Sequence, residues 1–322
     1  MGATLPLVTA VIPTRNRPEM VTRAIHSALA QTYSRVEVVV VVDGNDPATV
    51  AALARLNDER VRCVLLSESV GGSEARNIGV REGRGEWIAF LDDDDTWMPE
   101  KIEKQVRAAS ERAERGAQIV CSQVIARTAE GDMVLPEKAP RKPYSEYLLV
   151  RSRLTFGEGL MQTSTLLARR QHLLRMPFSK GLRKHQDWDW ILRCAEEQSL
   201  QVIFVPQPLA VWYVDDTRER VSQANAWRSS LEWIRSSRMR VTKRAYAAFV
   251  ATYVAPQAAI EGSWKTCWML FDEMWRMGNP RLRDIAVFAG AWLFPSKLRQ
   301  KLRSFLRGRE ASSTVREIAQ TS

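Results

Sequence analysis

Short apolar runs alternate with helical spacing through the first hundred residues. "LVTAVI" (7–12) is closed by Pro13. Met20, Val21, Ala24, Ile25, Ala28 and Leu29 recur at helical spacing, which predicts a helix over 18–31. "VEVVVVV" (36–42) is continuous and β-branched, as expected of a strand buried on both faces. "VRCVLL" (61–66) predicts a third strand, and "GGSEARNIGVREG" (71–83) a glycine-rich turn running into a helix. "EWIAFL" (86–91) predicts a fourth strand. "PEKIEKQVRAASERAERG" (99–116) predicts a helix with proline near its first turn. Strand and helix in alternation imply an α/β fold, a mostly parallel sheet flanked by helices.

Residues 117–215 are less regular. "AQIVCSQVIAR" and "STLLARR" predict strands. "KHQDWDWILRCAEEQ" (184–198) predicts a helix with Trp188, Ile191, Leu192 and Ala195 on its apolar face. "QVIFVPQPLAVW" reads as a strand followed by an extended segment broken by Pro206 and Pro208. Beyond about residue 216, Trp, Met, Ala and Arg dominate at helical period, which predicts a helical C-terminal extension over 216–310. The last residues, 311–322, predict a mobile tail.

Composition narrows the class. Apolar residues make up 45% and charged residues 26% of 322, the balance of an ordinary globular protein. Cys63, Cys121, Cys194 and Cys267 form no C-x-x-C pair, so reduced cysteines in a cytoplasmic setting are expected. The start shows neither a secretion signal nor a myristoylation pattern, and no apolar run reaches the ~18 residues of a membrane span. A net charge of +10 calls for an acidic partner or an anionic surface. No recognised nucleic-acid module accompanies it, so nucleic acid is not the expected partner.

Four consecutive aspartates, Asp92 to Asp95, follow the apolar run Trp87–Leu91. Like charges so close need compensation by water or a cation. In an open α/β sheet, ligands bind at the carboxyl ends of the strands. Pro13–Arg15, Asp43 and Asp92–Asp95 all follow predicted strands, and Gly71–Arg76 opens the helix after the third. Hard cations such as Mg²⁺ and Mn²⁺ take one or two carboxylates and leave the remaining positions to water and phosphates. A solvated acidic turn is the plain alternative. EF-hand, G-x-G-x-x-G and G-x-x-x-x-G-K-[ST] spacings are absent.

These pieces together resemble the family 2 glycosyltransferases with the GT-A fold. The segments "IPTRNR", "QTY", "VDG", "ARNIG" and "LDDDD" occur in the family's order over about the first hundred residues. The resemblance implies a catalytic domain over 1–215, with 1–116 holding the nucleotide and 117–215 the acceptor. It implies that Pro13, Thr14, Arg15, Asp43, Arg76, Asp92 and Asp93 line the nucleotide-sugar pocket. It implies that Asp94 is the principal ligand of a Mg²⁺ or Mn²⁺ ion, and leaves Asp95 open. One departure is the single acid in Val42–Asp43–Gly44, where the family often has two. The family's E-D-W-D segment reads Gln186–Asp187–Trp188–Asp189, which keeps a hydrogen-bonding side chain without its charge. Asp187 is implied as general base. Asp189, two residues on, points elsewhere on a helix and suits the helix N-terminus. His185 fits a cap better than a substrate contact.

The implied function is inverting, metal-dependent transfer of a sugar from a nucleotide diphosphate, with UDP the expected carrier, to a glycan or lipid-linked glycan acceptor in surface polysaccharide or glycoconjugate assembly. The Q-x-x-R-W segment of processive synthases is absent, which favours a non-processive enzyme. A non-catalytic relative that binds a glycan or partner on the same fold is the alternative, and intact Asp94 and Asp187 speak against it. Residues 283–309 carry a ten-residue apolar stretch (285–294), then Leu298, Leu302, Phe305 and Leu306 on one predicted helical face. Six basic residues and no acid lie within 297–309. Two readings stay open: a helix lying on an anionic membrane, on the inner face of the cytoplasmic membrane, or one docked on the catalytic domain with a solvated basic face.

Overall fold

The computed structural model describes residues 5–112, 118–151, 159–214 and 227–294. The chain divides into two units, Met1–Arg127 with Met161–Val214, and Thr128–Leu160 with Asp215–Ser322. Its elements are β1 (Val8–Thr14), α1 (Pro18–Leu29), β2 (Val36–Val42), α2 (Pro47–Leu53), β3 (Val61–Leu65), α3 (Gly72–Glu82), β4 (Trp87–Phe90), β5 (Thr96–Trp97), α4 (Lys101–Glu111) and β6 (Gln118–Thr128). They continue with β7 (Gly131–Leu135), α5 (Tyr144–Leu149), β8 (Leu167–Arg169), α6 (Arg170–Arg175), α7 (Gln186–Cys194) and β9 (Gln201–Tyr213). Helices α8 (Trp227–Ser236), α9 (Lys243–Phe249), α10 (Ala255–Ala258), α11 (Trp264–Met277) and α12 (Leu282–Leu293) complete the series.

The sheet of the first unit runs β3-β2-β1-β4-β8-β6-β9-β5. β3, β2, β1 and β4 are parallel. β8 joins β4 to β6 antiparallel to both, β9 is parallel to β6, and β5 closes the edge antiparallel to β9. The chain therefore steps outward from β1 to β3, then returns to lay β4 on the other side of β1. Such a reversal leaves a crevice at the carboxyl ends of the two central strands, where ligands of open α/β sheets bind. Those ends are Thr14 and the acidic run. Apart from Glu37, every residue of β2 is buried. Glu37 accepts from the Thr9 hydroxyl and the Arg84 N–H, both at 2.6 Å, so its charge is not stranded.

α3 lies against β1 more closely than a side chain at Gly79 would allow. A Cβ there would fall 2.3 Å from Val11 Cγ1. That approach sets the depth of the helix, and with it the position of Arg76 one turn earlier.

Prolines mark one difference from the sequence reading. β9 continues through Pro206 and Pro208 instead of breaking. Its register with β6 jumps there, from Ser122↔Val205 to Gln123↔Pro208 and Val124↔Ala210. A residue without an N–H is tolerated where the ladder is already interrupted by a bulge. α2 was not expected; Asp46 caps it by accepting from Thr49 N–H at 3.0 Å.

Within the second unit, polar contacts tie helices together. The Tyr246 hydroxyl of α9 donates to Glu273 of α11 at 2.6 Å, and Arg235 of α8 pairs with the same carboxylate. A buried Arg244–Asp284 pair joins α9 to α12. The helical C-terminal region is thus present. The apolar stretch 285–294 begins inside α12, whereas the basic helix expected after Pro295 and the tail 311–322 lie outside the described residues. Among the described residues, no helix is long and apolar enough to cross a membrane.

Candidate active site

The acidic run alternates. Asp93 and Asp95 are buried, while Asp92 and Asp94 are half-exposed. The run makes a tight turn, closed by the Asp95 N–H donating to the Asp92 carbonyl at 3.0 Å, and the turn sends Asp93 and Asp95 inward while Asp92 and Asp94 stay toward solvent. Asp93 turns inward to β1 and accepts from the Thr14 hydroxyl and from Arg17, each at 2.8 Å. Burial lifts its carboxyl to about 6 against the pull of Arg17, and the charge of Asp94 pushes the same way as burial. Asp95 accepts from Gln162 at 2.6 Å and the Ser164 hydroxyl at 2.7 Å. Burial, with the charges of Asp94 and Asp92, drives its pKa well above the ordinary carboxylate value. Its second oxygen is buried without a partner.

The outward pair is held more lightly. Asp92 pairs with Arg76, and Asp94 meets Arg17 at 3.3 Å. Among the described residues, the other oxygen of each, Oδ2 of Asp92 and Oδ1 of Asp94, takes no hydrogen bond. No three His, Cys, Asp or Glu side chains converge on one point among the described residues. Two half-exposed carboxylates with an uncommitted oxygen each are nevertheless the donor set a Mg²⁺ or Mn²⁺ ion uses when phosphates and water complete its shell. These residues fit such an ion, with Asp94 and Asp92 as its holders.

The second loop makes its own knot. Asp43, at the end of β2, accepts from the Ser69 hydroxyl at 2.9 Å, Val70 N–H at 2.6 Å and Gly71 N–H at 3.0 Å. Arg15 donates to the same Ser69 hydroxyl at 2.9 Å. Pro13 lies in β1 opposite Val41 of β2. Gly71, at φ +82°, takes the left-handed turn that leads into α3.

The A-R-N-x-G segment links the acidic run to α7. Arg76 donates through one nitrogen to Gln186 Oε1 at 2.6 Å and through the other to Asp92. Asn77 donates to the Phe178 carbonyl and accepts its N–H, both at 2.9 Å. Phe178 then stacks on the buried Trp190 and meets Phe90 edge-on. A Cβ at Gly72 would lie 3.2 Å from both Arg76 Nη1 and Gln186 Oε1, so the tight helix start leaves room for that bond. Gln186 thus contacts Arg76 without adding a charge.

Asp187 stands next to this bridge in the first turn of α7. Its carboxylate accepts from Trp188 N–H at 2.9 Å. Burial lifts it to about 6, more than the Trp188 bond and the positive charge of Arg76 pull it down. The side chain stays half-buried, so the group is crowded but reachable. Asp189 is otherwise engaged: it accepts from the Ser179 hydroxyl at 2.6 Å and from Arg193 at 2.9 Å. His185 occupies the N-cap position at φ +62° and stacks on Trp188, and burial lowers its pKa to about 3.

Arg17, Ser69, Gln162 and Ser164 hold the expected residues in place without having been assigned such roles from the sequence. Arg17 carried a signal, since it sits inside "IPTRNR". Ser69, Gln162 and Ser164 carry none that pattern reading detects.

The chain is similar to known proteins in sequence and fold. Residues 9–174 match the model of glycosyl transferase family 2. The amylovoran biosynthesis glycosyltransferase AmsB of Erwinia amylovora is 24% identical over 305 residues, 93% of this chain and 97% of that protein. The succinoglycan biosynthesis protein ExoO of Rhizobium meliloti is 41% identical over 202 residues, 61% of this chain and 55% of that protein. Among solved structures, S. aureus TarS 1–349 in complex with UDP-GlcNAc superposes with a TM-score of 0.59 at 15% identity, over 97% of this chain and 92% of that one. That likeness bears on the fold and agrees with the GT-A arrangement expected from the sequence. The chain belongs to glycosyl transferase family 2 and is a glycosyltransferase.

Proposed function

We propose that this glycosyltransferase moves a sugar, with inversion, from a UDP-linked donor to a glycan or lipid-linked glycan during polysaccharide assembly. The observation that carries the reading is Arg76, which joins Asp92 at the donor-side strand end to Gln186, the neighbour of Asp187. A charge-assisted bridge of that kind holds the acidic turn and the α7 helix start in fixed register. The polysaccharide setting is supported by the names of AmsB and ExoO, and the UDP carrier by the complex of TarS.

In this reading Asp187 receives the proton of the acceptor hydroxyl. The freed oxygen lone pair forms the new bond to the anomeric carbon on the face opposite the leaving group. The bond from that carbon to the diphosphate oxygen breaks, and its electron pair departs with the nucleoside diphosphate. Asp94 and Asp92 would hold a divalent cation, which would supply charge stabilisation to that diphosphate. Arg76 and Arg17 keep the carboxylates oriented, and Asp43 keeps the 69–71 loop closed beside the nucleotide.

The test is Asp187→Asn. UDP binding by calorimetry should remain near wild type, while turnover falls at least ~10²-fold, the low end for loss of a general base. Unchanged turnover would remove Asp187 from the role, and joint loss of binding and turnover would assign it a structural one.

A further inference from the structure

We infer that the α11–α12 face of the second unit docks on an anionic lipid bilayer, a property separate from the sugar transfer itself. Trp264, Trp268, Phe271 and Trp275 fall on one stripe of α11. The three indoles are 60%, 68% and 50% exposed. α12 extends the surface: Phe271 touches Phe288, and Trp264 and Phe288 both approach Trp292. The helix ends in Leu293 and Phe294, 67% and 55% exposed. Monomeric surfaces rarely leave so many large apolar groups contiguous without a partner. Tryptophan, apolar in body with one polar N–H, is the residue enriched at the membrane–water boundary.

Charge selects the occupant. Lys265 and Arg281 are exposed and Arg283 is half-exposed, and none of the three has an ion pair among the described residues. The acid on the stripe, Asp272, is matched by Arg276 at 2.7 Å. The sequence that follows Phe294 adds six basic residues over 297–309 and no acid. A second copy of this face, or the chain's own basic segment folded back, would bring like charges together. Anionic headgroups instead meet them with opposite charge, at about 1 kcal/mol per basic residue near the surface.

The experiment is co-sedimentation of the full chain with vesicles of equimolar phosphatidylglycerol and phosphatidylcholine, and with phosphatidylcholine alone. The protein should sediment with the first, less with the second, and less with the first at high salt. The double variant Trp264→Ser/Trp268→Ser should lower partitioning by at least about tenfold, given the area each indole contributes. Met239→Ser, at another exposed apolar side chain, should leave it unchanged. Wild-type tryptophan emission should also be quenched by vesicles with brominated acyl chains, a readout that needs no variant. No sedimentation with anionic vesicles overturns the inference, as does a tryptophan variant that binds like wild type. A dimer in light scattering that the same variant dissociates, without vesicle binding, would assign the face to a second copy.

Discussion

Gly79→Ala tests whether the last glycine of A-R-N-x-G is there for packing. The added Cβ would stand 2.3 Å from Val11 Cγ1, 3.2 Å from Cγ2 and 3.3 Å from Cβ. Turning the valine does not help, because all three of its side-chain carbons crowd the site. Ordinary contact requires α3 to recede by about 1 Å from the central strand, in a region where Val11 is fully buried. Overpacking of this kind costs about 1–3 kcal/mol. The 2.3 Å contact belongs in the upper half of that range, so after alanine returns about 1 kcal/mol of helix propensity the net loss is about 1–2 kcal/mol. At about 2–4 °C per kcal/mol for a unit of this size, the melting temperature should fall by about 2–8 °C. Arg76 moves with the helix, so UDP affinity should fall as well. A double-mutant cycle with Val11→Ala isolates the contact. Removing both methyls opens the space, and the two substitutions should be less harmful together than their sum by about 1 kcal/mol or more. A Gly79→Ala protein at least as stable as wild type, or strict additivity in the cycle, would refute the argument.

Three further outcomes follow from the site. The free-enzyme rate constant kcat/KM should fall about tenfold per pH unit below about pH 6, since a base lifted to that value is protonated there, and should level off above it. A profile flat from pH 5 to 7 contradicts that. Chelation by EDTA should abolish turnover, Mg²⁺ or Mn²⁺ should restore it, and Asp94→Ala should be inactive with or without added metal. Full turnover after chelation would remove the cation from the reaction. Asp93, held near 6 in the fold against an unfolded value near 3.8, keeps its proton more readily when folded. Stability should therefore fall as pH rises from about 4 to 6, by about 3 kcal/mol on the order of 1.4 kcal/mol per unit, and Asp93→Asn should flatten that slope in urea melts.

Periodicity carried much of the first unit. The strands "VEVVVVV" and "EWIAFL" and the helices around Ala24 and Ile102 appear close to where the pattern places them, because burial on both faces leaves a continuous apolar signature. β9 was harder to read, since its prolines look like strand breakers until its own bulge opposite Ser122–Val124 of β6 is known. The same limit applies to the site. Arg76 was expected to line the nucleotide-sugar pocket, yet its bridge to Gln186 joins residues 110 positions apart. Asn77 is likewise readable as a motif letter, but its two bonds to Phe178 depend on how α3 and the 178 segment fold together. Local pattern reports which face a residue occupies, whereas partners across the fold are set by topology.

The four aspartates show how the two kinds of information combine. The turn that the Asp95 N–H closes on the Asp92 carbonyl sets an inward pair and an outward pair. Topology then gives the inward pair different partners. Thr14 and Arg17, at and just beyond the end of β1, receive Asp93, and Gln162 and Ser164, leading to β8, receive Asp95. These anchors fix the turn, and burial among neighbouring charges raises the pKa of both inward carboxyls. The outward pair, one residue apart, is left half-exposed beside Arg76 and Arg17. A D-x-D pattern thus arises where two carboxylates hold the backbone and the alternate two remain accessible. Removing an inward aspartate should disturb stability first and binding through it, whereas removing an outward one should act on the ligand side with the fold intact.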